Sequence, residues 1–260
     1  MTDLNRLFRK RIGYPENETI TFEALKTVLE KAAVTIPFEN LSIITKNTKE
    51  ITRENLIEKL LVNNEGGLCY ELNPLLYFFL VESGFDARLI RGEVFNNEKN
   101  AWSDLGRTHV AILLNHDGET YLIDSGFGGN LPLIPVPLTG EIVTSRNGEF
   151  RVKKEETDFG DFILEMKLKN KHSNWNIGYA FDSKHPVSHV CEFDEIQSIL
   201  IHKEESPFNK RPLITQLTKN GNKTLTNTTF TKMVDGISTK EEIDSNGFNE
   251  YAKLHFGMEL

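Results

Sequence analysis

The feature that most constrains this chain is a change of hydrophobic period near Ala87. Before it, apolar residues recur at helical spacing. Within Phe22–Ala33, the residues Leu25, Val28, Leu29 and Ala32 share one helix face, and Leu56–Val62 repeats the pattern. Between these helices, Ile36-Pro37-Phe38-Glu39-Asn40-Leu41 reads as a loop or extended connection, because Pro37 lacks a donor and restricts the residue before it. The apolar run Leu75–Val81 falls far short of the roughly 20 residues that span a bilayer, so it reads as a buried helix. After Ala87, Arg88–Val94, Thr108–Leu114, Tyr121–Asp124, Glu141–Ser145 and Glu149–Lys153 read as strands, with Asp117-Gly118 and Asn147-Gly148 as hairpin turns. An antiparallel sheet or small barrel is expected there. Beyond Cys191 the pattern mixes: a helix over Phe193–His202, strands Leu213–Leu217 and Lys223–Phe230 flanking Asn220-Gly221, and a closing helix over Ser238–Tyr251. The spacing shows no internal repeat and no long linker.

With 260 residues, the chain is long enough to bury about 70–75% of its unfolded surface without a metal or disulfide staple. Its formal charge of −8 and the lack of an extended basic run argue against nucleic acid or an anionic membrane as partner. The polar start lacks the apolar segment of a secretory signal, so a cytoplasmic protein is expected. In that reducing compartment Cys69 and Cys191 are expected as separate thiols.

Cys69 sits in Glu65-Gly66-Gly67-Leu68-Cys69-Tyr70-Glu71-Leu72-Asn73, at a loop-to-helix junction. The paired glycines permit a sharp turn and a close approach, and open amides at a helix start favour a thiolate. Two starts are compatible with the residues. Asn73 as cap with Pro74 first, which propensity favours, leaves Cys69 outside the helix, whereas a start near Leu68 puts Pro74 in the second turn. A lone cysteine is otherwise a small buried hydrophobe. His109 and Asp124 change that balance, since they flank the turn Asn115-His116-Asp117-Gly118. With a four-residue loop they face each other directly, and with the loop tightened to Asp117-Gly118 they are diagonal on the same face, at roughly 4.5 to 8 Å between backbones either way. A carboxylate beside imidazole fixes its tautomer and stabilises imidazolium, although a solvated cross-strand ion pair is the plain alternative.

These motifs, Gly-Gly-x-Cys followed by Glu-Leu-Asn, Arg-Thr-His-Val, and Asp124, Gly126, Phe127, Gly128, together with Arg11-Ile12-Gly13-Tyr14 and Ile36–Leu41, resemble the arylamine N-acetyltransferase family in order and spacing. The resemblance implies an α+β protein related to the cysteine-protease and transglutaminase fold. Its parts are an N-terminal helical bundle (1–86) carrying the nucleophile, a central antiparallel β-barrel (87–192) carrying His and Asp, and a C-terminal α/β lid (193–260). It also implies that Cys69 begins its helix and is the acyl-accepting nucleophile, with His109 its base and Asp124 the orienting group. The co-substrate would be acetyl-CoA, and an arylamine or arylhydrazine would accept the acetyl group, with no metal required. Phe38 and Phe127 are the family-matched acceptor contacts, and Ser206, Phe208, Lys210 and Arg211 resemble the segment that meets CoA.

Three positions depart from the family pattern. Glu65 stands where Arg usually precedes the glycines and would pair with the acidic loop of Glu39; Ser125 replaces a β-branched apolar residue; and Pro74 follows Asn73, where a kink is expected. Other features carry no chemistry. Gly126-Phe127-Gly128-Gly129 lacks the spacing of a dinucleotide fingerprint and reads as a turn at the site's mouth. His185, His189 and Cys191 are separated by Pro186 from any helix that would face them together, so no metal is expected, and Cys191 reads as a core residue. Lys153-Lys154-Glu155-Glu156 is a solvated run. The rival readings are a cysteine hydrolase or transglutaminase-like enzyme, and a non-catalytic thiol redox sensor or binding module.

Overall fold

The computed structural model describes residues 2–244 and 247–260. Its first third is helical, for local reasons. In α1 (Asp3–Ile12) the Thr2 hydroxyl accepts the Asn5 amide at the start, and Gly13 ends the helix in the left-handed conformation. Its buried residues Leu4, Phe8 and Ile12 recur four apart, a helical spacing that the sequence reading above does not include. Then follow α2 (Leu25–Thr35), the short strand β1 (Phe38–Glu39), α3 (Leu41–Ile44) and α4 (Arg53–Ile57), which a π-helical turn over Glu58–Val62 prolongs. The last of these helices is α5 (Cys69–Glu82), and ten of its residues are buried, as the apolar run requires.

The helix start follows the family resemblance and overturns the propensity argument for Asn73-Pro74. The Glu71 carboxylate accepts the Leu68 amide at 2.9 Å, which caps the helix one residue before Cys69. Pro74 therefore lies inside α5.

Nine strands form the central sheet: β2 (Asp86–Asn96), β3 (Ala101–Trp102), β4 (His109–His116), β5 (Glu119–Ile123), β6 (Val136–Pro137), β7 (Val143–Ser145), β8 (Gly148–Thr157), β9 (Gly160–Leu168) and β10 (Asn176–Phe181). The order is β6-β5-β4-β2-β10-β9-β8-β7, with β3 on β2; neighbours are antiparallel, and β6 approaches β8 so that the barrel nearly closes. Strand β4 explains its own unbroken apolar sequence. Val110, Ile112 and Leu114 pack into the helical core, while Ala111 and Leu113 pack into the barrel core.

After the barrel come α6 (Phe193–His202), β11 (Leu213–Thr218), β12 (Gly221–Thr226), β13 (Thr229–Val234), β14 (Ile237–Glu242) and α7 (Gly247–Phe256). The second sheet runs β1-β11-β12-β13-β14, so β1 from the helical part is its first strand. Four expectations differ from the structure. Lys223–Phe230 is split between β12 and β13. The stretch expected as a closing helix from Ser238 to Tyr251 begins as β14, because Asp235 and Gly236 both take positive φ and turn the chain back as a hairpin; α7 starts only at Gly247, and Ser245 and Asn246 lie outside the described residues. Cys191 is exposed, not in the core, because it sits in a one-turn 3₁₀ helix at the surface before α6. The hairpins at 147–148 and 220–221 form with their central residues one place earlier, at Arg146-Asn147 and Lys219-Asn220. No helix among the described residues is long and apolar enough to cross a membrane.

Candidate active site

Cys69 opens α5 and is only 8% exposed. The Gly66-Gly67 turn that delivers it is stitched to the 37–39 segment: Glu39 donates its amide to the Gly67 carbonyl, and Gly67 donates to the Pro37 carbonyl. Gly66 has to be glycine, since a Cβ there would lie 2.3 Å from the Pro37 oxygen. On the far side β1 pairs with β11 through Phe38 and Thr215, so one short strand joins the Gly66-Gly67 turn to the C-terminal sheet.

The hairpin between β4 and β5 resolves the two alternatives for His109 and Asp124. Asp117 and Gly118 both take positive φ and form a two-residue turn, and the register pairs Ile112 with Ile123. His109 and Asp124 are thus diagonal on one face. His109 Nε2 lies 2.8 Å from Asp124 Oδ2, with both side chains buried. This is no solvated ion pair. Burial alone would lower the His109 pKa, but the charge and hydrogen bond of Asp124, with a further contribution from Cys69, raise it to about 10. Burial likewise opposes ionisation of Asp124, yet His109 and the hydrogen bonds from Asn73 and Gly126 hold it below the usual carboxylate range. The Cys69 sulfur is 3.6 Å from the Thr108 carbonyl, next to His109 in the chain.

Asp124 has four partners. Oδ2 meets His109 and accepts the Tyr179 hydroxyl at 2.8 Å; Oδ1 accepts Asn73 Nδ2 at 2.9 Å and the Gly126 amide at 2.7 Å. Tyr179 carries no signal in the sequence, because β10 reaches the site only through the barrel's long-range pairing with β2. Asn73 is fully buried; its amide also donates to the Val110 carbonyl, and its oxygen accepts the amide and hydroxyl of Ser125. Ser125, one of the three departures, is thereby tied to α5. Gly126 passes so close beneath that helix that a Cβ would lie 2.7 Å from the Cys69 Cα.

The aromatic candidates gather nearby. Phe127 packs on the His109 ring at 4.9 Å and edge-on to Tyr179 at 5.1 Å. Phe38 meets Phe208 edge-on at 5.8 Å, and Gly128, next to Phe127, faces Phe38. Buried Asn40 fixes the Phe208 loop by donating to the carbonyls of Phe208 and Arg211 and accepting the Leu213 amide. Within this loop Ser206 is fully buried and its hydroxyl accepts the Phe208 amide, whereas Lys210 and Arg211 are exposed. Glu65 accepts from Asn63 at 3.1 Å. No group of three or more His, Cys, Asp or Glu that would hold a metal occurs among the described residues.

A family profile described as N-acetyltransferase matches residues 21–260. An uncharacterized acetyltransferase of Bacillus subtilis, YvcN, is 40% identical over 98% of both chains. A crystal structure of an arylamine N-acetyltransferase from Bacillus cereus, described as having a unique Cys-His-Glu catalytic triad, superposes over 100% of both chains with a TM-score of 0.95 and 43% identity. Arylamine N-acetyltransferase C of Bacillus anthracis superposes with a TM-score of 0.94 and 40% identity over 99% of both chains. These similarities place the protein among the acyltransferases. The chain belongs to the arylamine N-acetyltransferase family. Where the Bacillus cereus enzyme is described with Glu as its acid, the carboxylate on the imidazole here is Asp124.

Proposed function

We propose that this protein transfers an acetyl group from acetyl-CoA to arylamines or arylhydrazines by double displacement, with Cys69 as nucleophile, His109 as base and Asp124 as orienting acid. The observation that carries this reading is the buried His109–Asp124 pair beside the thiol at the first turn of α5, in a chain of this family. His109 takes the Cys69 proton, and the thiolate attacks the thioester carbonyl. The bond from carbon to the CoA sulfur then breaks, CoA leaves with the proton returned by the imidazolium, and acetyl-Cys69 remains. An amine attacks that thioester, His109 receives the amine proton, and Cys69 is released. The Cys69 and Tyr70 amides, ahead of the Glu71 amide that already bonds the Leu68 carbonyl, open the first turn of α5 and supply donors for the oxyanion, each worth about 3 kcal/mol.

The acceptor is proposed to lie against Phe38 and Phe127, the first edge-on to Phe208 and the second tilted on the His109 ring. Lys210 and Arg211 are proposed to meet the CoA phosphates, with Phe208 beside them and Ser206 supporting their loop from inside. The three-part division at residues 86 and 192, and cytoplasmic residence, belong to the same reading. A panel of anilines and arylhydrazines with acetyl-CoA tests it: CoA release that requires the amine and yields the N-acetyl product supports the proposal. Steady CoA release without any amine would instead support a thioester hydrolase.

A further inference from the structure

Glu65 removes the cation that the family resemblance places before the paired glycines, yet the acidic loop is not left unpaired. Lys59 Nζ lies 3.3 Å from Glu39 Oε1 and 2.6 Å from Glu71 Oε1, with the lysine side chain 14% exposed and the two carboxylates 1% and 7%. Each carboxylate uses its second oxygen on the backbone. Glu39 Oε2 accepts the Leu41 amide, and Glu71 Oε2 accepts the Leu68 amide. One ammonium therefore joins the two segments that flank Cys69, the 37–41 wall bearing Phe38 and the cap of α5. The Lys59 carbonyl adds a third tie, accepting the Glu65 amide at 3.1 Å.

The local backbone explains how residue 59 reaches this place. Over Glu58–Val62 the helix widens to π geometry, closed by the Asn63 amide on the Glu58 carbonyl, and Lys59 is the basic residue of that turn. Two buried carboxylates this close together repel unless a cation lies between them, and removing that cation leaves an uncompensated charge pair at the cap. The ion pairs in turn hold the Lys59 pKa above its ordinary value, although burial opposes this.

We infer that Lys59 is a positioning residue for the nucleophile, having taken over from position 65 the cation that locks the Gly66-Gly67 turn against Glu39. It touches no reacting atom and acts by setting where Cys69 stands against His109. The role rests on the proposed function for its purpose, though its test does not. The rate of Cys69 alkylation by iodoacetamide is measured in wild type, Lys59→Gln, Lys59→Arg and the double variant Lys59→Gln/Glu65→Arg, alongside single-turnover acetylation and the acetyl-CoA concentration that half-saturates it.

Lys59→Gln should slow alkylation and acetylation about tenfold with half-saturation little changed, because a nucleophile displaced by a fraction of an ångström loses rate and not substrate affinity. Lys59→Arg should stay within about threefold of wild type, and the double variant, with its cation returned to position 65, should recover most of the loss. Wild-type alkylation in folded Lys59→Gln, or a double variant no faster than Lys59→Gln, would overturn the assignment. Should Lys59→Gln fail to fold, a folded double variant with near-wild-type alkylation would support it, and a folded but slow one would refute it. Absence of acetylation in wild type would defeat the proposed function while leaving the alkylation comparison intact.

Discussion

The Tyr179 hydroxyl donates to Oδ2 of Asp124, the same oxygen that holds the His109 ring, and both distances are 2.8 Å. Two donors on one oxygen fix the carboxylate's orientation from the barrel side, and Tyr179 is itself fully buried. Tyr179→Phe should therefore keep the fold and lower kcat/KM about fivefold, the equivalent of roughly 1 kcal/mol for one lost hydrogen bond. Full activity in the folded variant would show that Asn73, Gly126 and His109 suffice to hold Asp124.

Asp124→Asn removes the charge while keeping the shape. The imidazole would present the wrong tautomer to the sulfur, and by analogy with other triads the rate should fall by on the order of 10³–10⁴. Circular dichroism should show the fold intact. A folded Asp124→Asn protein with wild-type rates would make the buried pair structural only.

The same pair has a pH signature. His109 is raised above its unfolded pKa of about 6.5, so its contribution to stability is complete below that pH and disappears as pH rises toward about 10. Asp124 is lowered, so its contribution is present above its unfolded pKa of about 3.8 and is lost on further acidification. The excess thermal stability of wild type over Asp124→Asn should be largest near pH 5 to 6 and shrink steadily toward about pH 10. An excess that stays constant across that range would contradict the ion-pair assignment.

Much of the site was legible because its chemistry is local. Gly66, Gly67 and Cys69 occur in one turn, and the period of β4 and β5 places His109 and Asp124 on one face whichever hairpin forms. Residues brought by long-range pairing left no comparable trace. Tyr179 arrives on β10 across the barrel, Asn40 holds a loop about 170 positions away, and Lys59 acts through a π turn whose pattern reads as ordinary helix. Propensity misplaced the start of α5 because it weighs Pro74 and cannot see the Glu71 carboxylate folding back on Leu68. The closing helix was read too long for a similar reason, since the exposed β14 is held by pairing with β13 and buries none of its residues.

Gly126 tests how tightly Cys69 is seated. A Cβ there would meet both the Cys69 Cα and Asn73 Nδ2 at under 3 Å, so Gly126→Ala must push either α5 or the Asp124 loop aside. Overpacking of this kind costs about 1–3 kcal/mol in stability. Activity should fall further than stability, by on the order of 100-fold, because the displaced atoms belong to Cys69, the proposed nucleophile. A stable Gly126→Ala protein with unchanged kcat would mean that the site tolerates such a shift.

The central claim is that Cys69 carries the acetyl group. The most direct measurement is intact-protein and peptide mass spectrometry after incubation with acetyl-CoA alone, with released CoA counted in parallel. Wild type and Cys191→Ser should each gain one acetyl group at residue 69 and release about one CoA per chain, while Cys69→Ala should do neither. Acetylation that persists in Cys69→Ala, or wild-type protein that releases CoA continuously without an acetylated Cys69, would contradict the account.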